Sequence, residues 1–184
     1  MAMLLLITGF ILGILIFVIS VYNMFIKKKN LVREAWSGID VQLKRRHDLI
    51  PNLLNTVKGY MQHERKLLEG IAEMRARSIG AGDIKDKAQA EIALSSMLKS
   101  LFAVAEAYPD LKANQNFLDL QSNLANLEEQ IQLARRYYNG TVRDFNILVE
   151  SFPSSIIASI FGFKTFEFYE VEESAIRQTP KIEF

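Results

Sequence analysis

The chain has 184 residues, and its 22 Lys and Arg against 21 Asp and Glu give a formal net charge of +1. Because nucleic-acid-binding domains concentrate positive charge, this balance argues against a nucleic-acid partner. The sequence contains no cysteine, which excludes disulfides, thiolate metal sites and a cysteine nucleophile.

An uncharged apolar segment, Met3–Ile26, opens the chain and is followed at once by Lys27, Lys28 and Lys29. As a helix rising about 1.5 Å per residue it would span roughly 36 Å, enough to cross a hydrocarbon core of about 30 Å. We therefore predict a transmembrane anchor over residues 1–26, in the lipid bilayer of the cell (inner) membrane. By the positive-inside rule, the lysines behind the span predict an outside N-terminus and a cytoplasmic C-terminal domain.

Two other kinds of segment share this apolar character. A cleaved signal peptide begins with basic residues and has an apolar stretch of about 7–15 residues, whereas this chain begins Met1-Ala2 and its apolar segment is longer. A buried core helix is the second alternative, although a soluble core does not need so long an uninterrupted apolar stretch.

Beyond the anchor, the sequence predicts an all-α helical bundle over residues 27–152 that continues directly from the membrane span. Apolar residues recur three and four positions apart over about residues 30–78, which is typical of a long amphipathic helix. Pro51 lies inside this pattern and removes one backbone hydrogen bond, so we expect a kink or a short break near residues 47–50. A kink is favoured because the apolar stripe resumes beyond the proline with little loss of phase.

Two further helices are predicted, over about residues 85–107 and 114–151, which would give an antiparallel three- to four-helix bundle. The last helix carries apolar residues at a seven-residue period, which indicates left-handed, coiled-coil-like packing. The members of this row are Phe117, Leu124, Ile131, Tyr138, Phe145 and Phe152. We expect these side chains, together with Trp36, to pack in a core rather than to form a ligand-binding box.

Residues 153–184 change character and are predicted to form a short helix followed by an extended tail. Phe163, Phe166 and Phe168 stand among polar side chains, a pattern typical of extended chain rather than helix. Because this segment is more apolar than a solvated tail, we expect it to pack on the bundle or on another subunit.

Several runs of residues, in order along the chain, resemble the signature of the LemA family. The matching residues are Trp36, the segment from Ile39 to Leu53, Tyr60, His63-Glu64, the segment from Tyr108 to Ala113, Tyr137-Tyr138-Asn139, Val142, Phe145-Asn146 and Phe152-Pro153. The resemblance implies a bacterial, single-pass membrane protein with a helical bundle. It implies no reaction, because the family has no established enzymatic activity.

The sequence offers little catalytic chemistry. His63-Glu64 begins like a zinc-binding helix motif, but the second histidine is missing and Leu68 stands in its place. His47 and His63 are separated by about 160° around a helix, so they do not converge on a metal. We therefore predict no enzyme activity, no cofactor, no metal and no small-molecule substrate, and a metalloenzyme is the least favoured class.

Arg46 and Glu64 are polar residues on the apolar stripe of the first soluble helix. In one interpretation they extend to solvent or pair locally, with Asp48 or Arg65, and fix the helix register. In the other they form a buried ionic contact between helices or between chains, which specifies orientation more than it stabilises. Both interpretations make the two residues a structural polar seam.

The function predicted from these features is a non-enzymatic, membrane-anchored scaffold or adaptor that forms homo-oligomers through its long helices at the cytoplasmic membrane face. Gly9 and Gly13 form a Gly-x-x-x-Gly pair in the span, which permits close approach of two membrane helices. Contacts with lipid or another subunit are predicted there and at Lys27, Lys28, Lys29, Trp36, Phe163, Phe166 and Phe168. The alternative is an accessory binding module of a membrane peptidase or signalling complex, with another membrane protein as its partner.

Overall fold

The computed structural model describes residues 1–169, and all regular secondary structure within them is helical. The all-α class predicted from the sequence is thereby confirmed. The elements are helix α1 (Ala2–Lys58), a 3-10 turn (Gln62–Glu64) and helices α2 (Arg65–Gly80), α3 (Ile84–Ala105), α4 (Pro109–Lys112), α5 (Gln115–Glu150) and α6 (Ser154–Phe161). Residues 170–184, and with them much of the predicted extended tail, lie outside the described residues.

Helix α1 is continuous over its whole length, so the apolar segment and the first soluble helix form one element. The predicted alternative of a break at residues 47–50 is wrong, while the favoured kink stays a prediction. Pro51 lacks the N–H that would bond the carbonyl oxygen of His47, four residues earlier. Nε of Arg75, in α2, donates a 2.8 Å hydrogen bond to that oxygen instead. The helix passes through the proline because its freed acceptor is satisfied by a neighbouring helix.

The interruption of the first soluble helix lies further along the chain, between α1 and α2. Gly59 and Tyr60 form a turn, and the 3-10 turn follows before α2 begins. Glycine disfavours a helix interior by about 1 kcal/mol relative to alanine, which helps to end α1 at Lys58. The continuous helix predicted over residues 30–78 is therefore divided, and Glu64 lies in the 3-10 turn rather than on one unbroken seam.

The described chain divides into two compact units. The first comprises Met1–Val41 and Gln132–Phe168, and the second comprises Gln42–Ile131 together with Tyr169. The second unit has an apolar core formed by the inward stripes of its helices. Its buried members are Ile50, Leu53, Val57, Met61, Ile71, Leu94, Leu98, Leu101, Ala105, Leu111, Phe117 and Leu124. Asp83 caps α3, since its side chain accepts a 2.7 Å hydrogen bond from the backbone N–H of Asp86.

The first unit is held together by aromatic side chains. Phe25 of α1 and Phe145 of α5 are both buried, and their ring centroids lie 5.9 Å apart in an edge-on arrangement. Trp36 is half-buried and its ring lies 5.5 Å from that of Tyr138, so α5 covers it within the same chain. Phe152 departs from the predicted row: it is 82% exposed because α5 ends at Glu150, before the row reaches it.

The described residues after α6, 163–169, have no regular secondary structure and are bonded to side chains of α5. The side chain of Asn146 bonds both backbone groups of Phe166, accepting from its N–H and donating to its carbonyl oxygen at 2.9 Å each. Tyr138 donates from its hydroxyl to the carbonyl oxygen of Glu167 at 2.9 Å. These bonds satisfy a backbone segment that has no sheet partner among the described residues. The side chains of α5 thus fix the path of this segment.

Candidate functional site

A buried polar network is the most distinctive chemical feature of the second unit. Polar residues interrupt the apolar stripes of α1 and α3. In α1, Arg46 stands seven residues from both Ile39 and Leu53, and in α3, Glu91 stands three residues from both Ala88 and Leu94. Helical periodicity turns these positions toward the core, so the polar groups must find partners there.

Arg46 and Glu91 form the centre of the network as an ion pair. Their side chains are only 1% and 3% exposed, and Nη2 of Arg46 contacts Oε2 of Glu91. Taking two charges out of water costs several kcal/mol for each, and their mutual attraction offsets this only with good geometry and further hydrogen bonds. The remaining members of the network supply those bonds.

On the arginine side, Nη1 of Arg46 donates to Oγ of Ser95 at 2.7 Å and to Oε2 of Glu128 at 2.6 Å. Ser95 in turn donates to the same carboxylate oxygen at 3.1 Å. The side chain of Glu128 is 30% exposed, so this end of the network reaches the surface. Arg46 therefore connects α1 with α3 and with α5.

On the carboxylate side, Oε1 of Glu91 lies 2.7 Å from Nε2 of His47 and also contacts Oγ of Ser78. Burial lowers the pKa of His47 to about 4, and the positive charge of Arg46 adds to this shift. The imidazole is then neutral at pH 7. Since a carboxylate only accepts, we assign the proton to Nε2, which donates to Glu91. His47 and Ser78 thus act as neutral donors to a buried charge.

The grouping of serine, histidine and glutamate contains the residue types of a catalytic triad in a different order. In a triad the imidazole lies between the hydroxyl and the carboxylate, and it takes the proton of the hydroxyl. Here the carboxylate of Glu91 lies between, and accepts from both His47 and Ser78. Because Glu91 is also closed off from solvent, the arrangement is suited to holding helices in register rather than to nucleophilic attack.

The other residues predicted as site residues are dispersed. Glu64 is half-buried and accepts a 3.4 Å hydrogen bond from the hydroxyl of Tyr108, so it does not take part in the network of Arg46. Gly9 and Gly13 are exposed on α1, and a Cβ added to either would meet nothing within 4 Å. Lys28 pairs with Asp144 at 3.0 Å, which lowers the pKa of that carboxyl.

The aromatic residues that follow α6 mainly contact side chains of the same chain. The ring of Phe163 stacks on that of Phe25 at 4.5 Å, with Nζ of Lys29 at 6.0 Å from the Phe163 ring centroid. Phe166 lies 4.9 Å from Phe145, whereas Phe168 is 38% exposed. The alternative that the chain itself absorbs part of the apolar tail accounts for Phe163 and Phe166. Their role in contacts between subunits stays a prediction, as does that of Phe168 and Lys27.

The sequence pattern indicates Arg46 but not its partners. One signal for Glu91 is present, because it interrupts the apolar stripe of α3 between Ala88 and Leu94. Ser78 likewise stands seven residues after the buried Ile71. Which of these polar residues meet is decided by how the helices pair, and the period of a single helix carries no information about that.

The network should make stability depend on pH through His47. Its pKa is about 4 in the folded chain and about 6.5 in the unfolded one, so between these values the unfolded state binds more protons. The stabilisation from the neutral imidazole is complete above pH 6.5 and is lost as pH falls toward 4, by up to about 1.4 kcal/mol per pH unit. Urea unfolding at several pH values measures this slope.

Two variants serve as controls, since the chain has two histidines. His47→Gln keeps a neutral N–H donor but does not titrate, so its free energy of unfolding should fall less steeply below pH 6.5. His63→Gln alters an exposed residue and should keep the parent slope. Equal slopes for the parent and His47→Gln would contradict the assignment.

Comparisons with known proteins extend over the network and most of the chain. The model of the LemA family matches residues 35–184. Magnetosome protein MamQ 2 of Paramagnetospirillum magneticum is 24% identical over 187 residues, covering 88% of this chain and 68% of that protein. Protein LemA of Metamycoplasma hominis is 25% identical over 167 residues, covering 88% and 76%. Magnetosome protein MamQ of Magnetospirillum gryphiswaldense is 21% identical over 187 residues, covering 88% and 68%.

Proposed function

Because this chain belongs to the LemA family, whose model matches residues 35–184, we propose that it is a non-enzymatic, membrane-anchored scaffold or adaptor. In this proposal the helical bundle stands at the cytoplasmic membrane face and acts by contact with further copies of itself. The buried ionic network supports such a role, since it links four helices of the second unit through side chains that do not act on a substrate.

The observation that carries the proposal is the bare apolar surface at the start of α1. An 18-residue window of this helix has a mean hydropathy of 3.0, and none of it is buried within the structure. Apolar surface of this extent is unfavourable in water, and it is long enough to cross a bilayer. Lipid would cover it on all sides, and the exposed Gly9 and Gly13 would allow a second anchor to approach closely.

The orientation of the anchor can be tested directly because the chain has no cysteine. With Lys27, Lys28 and Lys29 behind the span, we expect a cysteine introduced as Ala2→Cys to react with a membrane-impermeant maleimide in intact cells. A cysteine introduced as Arg136→Cys, at an exposed position of α5, should react only after lysis. The reverse pattern would contradict the proposed cytoplasmic bundle.

Self-assembly is tested by mass photometry of the full chain in a mild detergent. We expect masses that are multiples of the 21.0 kDa chain, and a lower share of oligomer when Gly9 and Gly13 are both changed to isoleucine. Leu5→Ile, on the same exposed apolar helix, is the matched control and should leave the masses unchanged. A single-chain mass at every concentration would contradict the scaffold, and a stoichiometric unrelated partner would favour the accessory-module alternative.

A further inference from the structure

Helix α6 has one covered face and one bare face. Ser154, Ile157 and Ala158 are buried and form the covered face, which is turned toward the rest of the first unit. On the other side Ile156 is 52% exposed and Ile160 is 71% exposed, and Phe152 stands exposed just before the helix. Large apolar side chains grouped in this way on a surface helix indicate a contact that the chain itself does not supply.

The position of α6 along α1 indicates what covers that face. The ring of Phe161, at the end of α6, lies 4.8 Å from the ring of Tyr22. Tyr22 stands four residues, or about 6 Å along the helix, before the end of the uncharged segment at Ile26. The end of α6 is therefore level with the last turn of the apolar segment, where a bilayer that surrounds this segment would have its boundary.

The charges around this level fit the boundary of a bilayer with anionic headgroups. The exposed Lys27 follows the apolar segment directly, and Lys29 lies over the ring of Phe163. Lys164, also exposed, comes shortly after α6. Apolar residues that enter the acyl boundary beside lysines that reach the headgroups are the combination by which helices bind a membrane surface.

We infer that α6 is an interfacial helix, and that Phe152, Ile156, Ile160 and Phe161 dip into the leaflet through which the anchor enters the cytoplasm. The inference rests on the proposed anchoring by α1. Lipid is the occupant favoured over a second copy of the chain, because the bare face adjoins the apolar segment that lipid already surrounds. The first unit then contacts the bilayer at two places, and its tilt and rotation relative to the membrane are fixed.

The test uses three single-cysteine variants of the full chain, each carrying an environment-sensitive nitrobenzoxadiazole label. Ile160→Cys probes the bare face of α6. Tyr137→Cys is the matched control, because Tyr137 is 52% exposed and its neighbour Tyr138 contacts Trp36, about 15 Å along α1 beyond Ile26. Leu12→Cys reports on the anchor itself. The variants are reconstituted in phosphatidylcholine and phosphatidylglycerol vesicles, with nitroxide-bearing lipids as quenchers in the membrane and iodide as the quencher in water.

For a helix lying about 5–10 Å deep in the boundary, we expect nitroxide lipids to quench the Ile160 label at least about twofold more than the Tyr137 label, and iodide to show the opposite order. A Leu12 label quenched by lipid beside an Ile160 label quenched only by iodide would overturn the inference and leave the anchoring intact. An Ile160 label protected from both quenchers would indicate a protein partner and would overturn it too. Exposure of the Leu12 label to iodide would instead overturn the proposed function.

Discussion

Arg46→Met is expected to lower the free energy of unfolding of the second unit by about 3–5 kcal/mol, the usual cost of removing one partner from a buried ion pair. The substitution keeps most of the side-chain volume but leaves the carboxylate of Glu91, only 3% exposed, with the neutral donors His47 and Ser78. Hydrogen exchange of peptides from α3, in the full chain in mild detergent, measures the loss.

Two further variants separate the ion pair from general effects of the substitution. Arg45→Met makes the same change at the adjacent exposed position and should alter stability by no more than about 0.5 kcal/mol. In the double variant Arg46→Met and Glu91→Leu both charges are gone, so most of the loss should be recovered, since apolar replacement of a whole buried pair is often neutral or stabilising. A loss for Arg46→Met no larger than that for Arg45→Met would show that the network does not stabilise the fold.

Phe145→Ala is expected to destabilise the first unit by about 3–5 kcal/mol, because it removes a buried ring and leaves a cavity. Phe145 is 1% exposed, and its ring contacts Phe25, Phe163 and Phe166. The single tryptophan of the chain, Trp36, lies in the same unit, so the midpoint of its fluorescence change in denaturant reports on this unit.

The same row of residues supplies the control. Phe152→Ala removes an equal ring from a position that is 82% exposed, and a surface substitution of this kind should change stability by no more than about 0.5 kcal/mol. If Phe145→Ala left the unfolding midpoint where Phe152→Ala leaves it, the assignment of Phe145 to the core row of α5 would be wrong.

Patterns in the sequence predict the features that are decided within a single helix, such as which side chains share its buried face. The seven-residue row correctly gives Phe117, Leu124, Ile131, Tyr138 and Phe145 as buried, because the period of a helix decides which side chains share a face. The prediction of burial is wrong at Phe152, because the seven-residue row does not show where α5 ends. Arg46 is recognisable as a polar residue on an apolar stripe, but the stripe alone leaves open whether it extends to solvent. The structure buries it at 1% exposure, so the interpretation in which it extends to solvent or pairs with Asp48 is wrong for Arg46.

Such patterns do not predict contacts between residues of different helices. That Arg46 meets Glu91 and Glu128 depends on which helices become neighbours and at what height, and these residues are far apart in the chain. The stripe that resumes beyond Pro51 favours a helix that continues through the proline, but it does not show how the freed carbonyl oxygen is satisfied. The local cost of proline is evident from the sequence, but the donor that satisfies the freed carbonyl oxygen belongs to another helix.

Because Arg75 is the donor, Pro51 helps to select the alignment of α2 against α1. An ordinary residue at this position would let α1 close all its own hydrogen bonds, and any sliding of α2 along it would cost only side-chain packing. With proline, α1 carries one acceptor that it cannot use, and Arg75 donates to it in the arrangement of the two helices in this structure. An arrangement of α2 in which Arg75 no longer bonds that oxygen carries a penalty of about 1–3 kcal/mol if the oxygen stays buried. Pro51 thus costs α1 one of its own hydrogen bonds, and it makes misaligned arrangements of α1 and α2 less stable.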